Sequence, residues 1–72
     1  MTKTQLMQIR KTDDFLDVLE SQGYRKVRQE SSHMIYTNDA ITLSIPKTRE
    51  LSDGTKRNLV KLVLGDSYYN KG

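Results

Sequence analysis

His33 is the one imidazole in a chain of 72 residues that has no cysteine, so proton transfer near neutral pH falls to it first. A positioned histidine acting as general acid or base contributes roughly 10² to 10⁴-fold to a rate, and anything beyond that has to come from neighbouring groups. Arg28, Tyr36 and Lys47, together with water, are the candidates to steady developing negative charge or to assist a leaving group. Ser32, directly before the histidine, can bond a phosphate oxygen or orient the ring, although serine ahead of a strand more often caps local backbone. The bland reading of His33 itself is a polar residue at a strand end, or a core histidine bonded to backbone. No base stands at a recognisable spacing from a serine, which gives a serine-nucleophile hydrolase little support. A lone histidine without a second histidine or cysteine at ligand spacing argues against a metal site, and no cofactor is implied. The early carboxylates Asp13, Asp14, Asp17 and Glu20 belong mostly to one helix.

Twelve Lys and Arg against nine Asp and Glu leave a net charge of +3, an excess that permits nucleic-acid contact without requiring it. Distribution is more informative. The acids cluster early, whereas Arg25, Lys26, Arg28, Lys47, Arg49, Lys56, Arg57 and Lys61 make the middle of the chain basic. A helix opening with Gly54, Thr55, Lys56 and Arg57 would point free N–H groups and a positive end at a phosphate. Charge on a helix surface is also the ordinary dress of a solvated face.

The elements that must position these groups follow from periodicity. Thr12, Asp13 and Asp14 supply a cap and first-turn negative charge, Phe15, Leu16, Val18 and Leu19 follow at helical spacing, and Gly23 is a natural stop. The pattern predicts a helix over 13–22. Residues 24–29 suit an edge strand guarded by charge, with a break at 30–32. Residues 33–37 and 41–45 are rich in β-formers around the turn residues Asn38 and Asp39, which predicts a hairpin ended by Pro46. His33 and Ile35 point to one face of this hairpin, Met34 and Tyr36 to the other. With His33 on an open face, Ile35 would be an exposed apolar residue beside it and would suit a partner that masks the site. Ser52 or Thr55 caps a last helix with Leu59, Val60, Leu62 and Val63 on its apolar face and Lys56, Arg57 and Lys61 on the other, closed by Gly65.

The fold class is therefore α+β, a two-layer α-β-β-β-α arrangement with a three-stranded antiparallel sheet and both helices on one face. The expected organisation is an N-terminal extension (1–12), one small domain (13–65) and a C-terminal tail (66–72) without a period, which is either disordered or packs the rings of Tyr68 and Tyr69 locally. Nothing in the first dozen residues reads as an export signal and no apolar run is long enough to cross a bilayer, so a cytoplasmic location without membrane contact is expected.

Gly23-Tyr24 opening the first strand, Ser31-Ser32-His33 opening the second, the pair Ile35-Tyr36, the strand-ending Pro46 and Gly54-Thr55 opening the last helix occur in the order typical of HicA toxins. Arg57, Leu59, Val60, Lys61 and Gly65 continue that pattern, and the chain resembles this family over about 13–65. Family members usually carry glycine where this chain has Ser31. The resemblance implies a double-stranded-RNA-binding-like fold and a metal-independent endoribonuclease acting on messenger RNA, with His33 as general acid or base. It also implies a HicB-like antitoxin as protein partner. Arg28, Ser32, Lys47, Thr55, Lys56, Arg57 and Lys61 are the residues expected to contact RNA. The alternative is a non-catalytic RNA-binding or protein-binding module on the same fold, for which Ser31 is the motivating residue.

Overall fold

The computed structural model describes residues 2–69. In chain order the elements are α1 (Lys3–Met7), α2 (Thr12–Ser21), β1 (Arg25–Glu30), β2 (His33–Thr37), β3 (Thr42–Pro46), α3 (Asp53–Leu64) and a 3₁₀ turn over Gly65–Tyr69. The α-β-β-β-α order stands, with one short helix added in front. None of the helices is long and apolar enough to cross a membrane among the described residues.

Helix α2 forms for the reasons its sequence offers. Asp13 and Asp14 occupy its first turn, Phe15, Leu16 and Leu19 form its buried stripe, and its first N–H is taken by the Arg49 carbonyl at 3.1 Å. Thr12 is the first helical residue and not the cap, which is Lys11. The C-terminus closes with Gly23 at φ +95°, where the Gly23 N–H reaches Glu20 O (3.1 Å) and the Tyr24 N–H reaches Leu19 O (3.0 Å). That paired closure needs the left-handed backbone that glycine adopts without a Cβ penalty, and it delivers Tyr24 into the core.

The sheet is antiparallel in the order β1-β2-β3. Asn38 Oδ1 accepts from the N–H groups of Ala40 (3.0 Å) and Ile41 (2.7 Å), shaping the β2–β3 turn. β3 alternates as expected, with Leu43 and Ile45 fully buried between exposed Thr42 and Ser44. The edge strand β1 is exposed along its whole length, and its register with β2 slips at Val27, between the pairs Lys26↔Tyr36 and Arg28↔Ile35. This bulge was not legible in the irregular alternation of 24–29.

All three α-helices contribute to one core on one side of the sheet. Leu6, Phe15, Leu16, Leu19, Leu59 and Val60 meet Met34, Tyr36, Leu43 and Ile45 there. The N-terminal residues expected as an extension are part of this core. A capping box between Thr2 and Gln5 starts α1, Leu6 is 1% exposed, and α1 packs on α3. Five helical residues are too few to show a period, so only packing reveals them. Part of the tail is also ordered: Tyr68 and Tyr69 meet edge to face at 5.2 Å, with the Lys3 ammonium 4.3 Å from the Tyr68 ring centre. Residues 70–72 of the expected tail lie outside the described residues.

Candidate active site

His33 begins β2, the central strand, and is exposed. Its direct cross-strand partners are Glu30 on β1 and Pro46 on β3, and such partners share a face of the sheet. Because Met34 and Tyr36 enter the core, His33 and Ile35 look away from the helices, toward the uncovered side. The connection before it has only two residues, Ser31 and Ser32. Ser32 Oγ lies 3.4 Å from His33 Nδ1, and the Ser32 carbonyl accepts the Lys47 N–H at 2.7 Å, tying the end of β3 to the turn.

Ser31 has φ +50°, in the left-handed region that favours glycine. An L-residue there costs roughly 1–2 kcal/mol, which the flanking ladder has to offset. The serine has thus taken the conformation a glycine would take, and the ring that follows is presented from a tight turn.

Arg28 is on the same face, paired with Ile35, and its Nε stands 3.3 Å from Glu30 Oε1. Glu30, expected in a break between strands, is the last residue of β1 and lies opposite the histidine. A two-residue turn was the signal that could have placed it, since such a turn makes the flanking residues partners.

Several expectations are corrected. Lys56 is not on the solvated face of its helix. It is 3% exposed, its Nζ donates to the Ile9 carbonyl at 2.7 Å, and it cannot reach a ligand without breaking that contact. Its place at i−3 and i−4 from Leu59 and Val60 puts it in the apolar stripe, where its stem packs and its ammonium satisfies the α1–α2 connection. Tyr36 is removed from the candidates beside His33, because it is buried on the helix side of the sheet. Burial pushes its phenol up, and the carboxylates of Glu20, Asp13 and Asp17 add to the shift. Ile35 is buried at 7% despite facing away from the core, flanked by its partners Arg28 and Ser44, so it offers no exposed apolar spot.

The remaining basic and polar candidates fall into two groups. Arg28 and Ser32 stand with His33 at one end of the open side, and Lys47 is tied to the same end by its backbone N–H. Thr55, Arg57 and Lys61 ride on α3 in the helical layer, where Thr55 Oγ1 accepts from Ser52 Oγ at 2.9 Å and Lys61 Nζ lies 5.4 Å from the Tyr68 ring centre.

A family model described as the HicA toxin of bacterial toxin-antitoxin matches residues 12–63. The chain belongs to the HicA toxin family. Comparison with curated proteins and with solved structures found no match. The HicA match takes in β1, the two-residue turn, His33 and most of α3, and it leaves α1 outside. Helix α1 is attached to the matched region through Leu6 and through the Ile9 carbonyl that Lys56 holds.

Proposed function

We propose that this HicA family member is a metal-independent endoribonuclease that cuts messenger RNA, with His33 as general acid or base, and that a HicB-like antitoxin neutralises it. The observation that carries this reading is the placement of the one histidine of the chain, exposed at the end of the central strand within the family match. Ser32 at 3.4 Å from Nδ1 can steady the ring and leave Nε2 free for the substrate. Arg28 and Lys47 supply cations at the same end, suited to the phosphates of a bound strand. Arg57 and Lys61 on α3 form a second basic surface on the other layer, and Lys56 has no part in it.

The test is cleavage of a defined messenger RNA in EDTA by the wild type and by His33→Ala, with folding of both checked by circular dichroism. Cleavage by the wild type that His33→Ala loses supports the reading. RNA that both proteins bind and neither cuts would replace the enzyme with a binding module.

A further inference from the structure

A single histidine leaves a metal-free cleavage of RNA one proton-transfer group short. The 2′-hydroxyl has to lose a proton as it attacks phosphorus, and the 5′-oxygen has to gain one as it leaves. Resting on the ribonuclease reading above, we propose that Glu30 is the second catalytic residue, the general base to His33's general acid, with Arg28 holding its carboxylate and facing the phosphate.

Register and charge support the assignment. Glu30 is the direct antiparallel partner of His33 across a two-residue turn, so both side chains rise from the same face a strand spacing apart. The Glu30 carboxylate is 53% exposed and so open to substrate, and its Oε1 is held by Arg28 Nε at 3.3 Å. An arginine so placed does two things. It fixes the carboxylate on the histidine's face of the sheet, and its remaining N–H donors can meet the non-bridging phosphate oxygens as their charge grows. Four other carboxylates are placed elsewhere. Asp39 is paired with Arg25 at the opposite end of the sheet, and Asp13, Asp17 and Glu20 lie on α2 toward Tyr36. The groups facing the pair are Arg28 from β1, Ser32 from the turn, and uncharged Pro46 and Ser44 from β3, with Lys47 following directly after Pro46.

The step balances on these residues. Glu30 takes the 2′-hydroxyl proton, the 2′-oxygen forms its bond to phosphorus, the bond from phosphorus to the 5′-oxygen breaks, and the His33 imidazolium gives its proton to that oxygen. The products are a 2′,3′-cyclic phosphate and a 5′-hydroxyl end, and water returns the proton from Glu30 to His33.

The experiment compares wild type, Glu30→Gln, Glu30→Asp and His33→Ala on one RNA, recording kcat and KM across pH and the chemistry of the new ends. Glu30→Gln is expected to lower kcat by about 100-fold or more with KM nearly unchanged, and to remove the acid limb of a bell-shaped profile. Glu30→Asp keeps a carboxylate and should keep that limb at a reduced rate. Cleavage that His33→Ala loses but Glu30→Gln retains with an unaltered profile overturns the assignment and leaves the ribonuclease reading in place. Absence of cleavage by the wild type overturns both.

Discussion

Two regions of this small protein hold similar charged groups in opposite surroundings. At the open end of the sheet, Arg28 and Glu30 form an ion pair with both side chains more than half exposed. In the seam between α1 and α3, the Lys56 side chain is 4% exposed, bonded to the Ile9 carbonyl at 2.7 Å, and only 3.9 Å from Asp53, which is itself 89% exposed. An exposed pair adds little to stability, so its members are available to a ligand. A buried ammonium donating to a carbonyl is committed to the fold, because removing it strands both the carbonyl and the space its stem filled. The proposed chemistry and the stability thus fall on different lysines, arginines and carboxylates, and substitutions should separate them.

The largest effect belongs to the open end and should leave the seam untouched. His33→Ala is expected to reduce RNA cleavage by at least about 100-fold while shifting the denaturant midpoint by less than about 0.5 kcal/mol in equivalent stability. The seam should show the reverse. Lys56→Ala is expected to cost about 2–4 kcal/mol in urea unfolding, with a smaller loss for Lys56→Met, which keeps the volume. A loss of RNA affinity in Lys56→Met at unchanged stability would break the comparison.

Smaller changes sharpen it. Ser31→Gly relieves the left-handed serine and should stabilise the fold by about 0.5–1 kcal/mol, less than the full strain because glycine also frees the unfolded chain. The smallest effect is expected at the far end of the sheet. There the Asp39 carboxylate accepts from Arg25 at 2.8 Å, and this hydrogen bond, followed by the charge of Arg25, holds it below the usual carboxylate range. The folded state therefore binds that proton less readily than the unfolded state. The contribution is complete above the ordinary carboxylate pKa and is lost as pH falls through the lowered folded value. Urea midpoints across that acid window should decline slightly less steeply for Asp39→Asn than for the wild type.

Most of the architecture was legible because periodicity and punctuation agree. Phe15, Leu16 and Leu19 with Gly23 mark α2, the alternation around Leu43 and Ile45 marks β3, and Ser52 and Gly65 bracket α3. The ends moved by one residue, as with β1 at Arg25–Glu30 and β3 at Thr42–Pro46. What stayed illegible depends on contacts far apart in sequence. The Lys56 ammonium finds Ile9, 47 positions away, and nothing local distinguishes it from the exposed Arg57 beside it. The same holds at the site. His33 stood out as the one imidazole, but its pairing with Glu30 depends on a two-residue turn whose Ser31 is not the residue that usually announces left-handed backbone.

The slip at Val27 has a consequence of phase. Along a regular strand, residues an odd number apart face opposite ways, yet Arg25 and Arg28 are opposite Thr37 and Ile35, which share a side of β2. The bulge therefore brings two guanidinium groups into a single file leading toward His33, while Lys26 stays on the helical side opposite Tyr36. A strand that kept Val27 in regular alternation would carry the same charges and present a different row of them. By taking one residue out of the alternation, the bulge sets which cations line up, independently of how many there are.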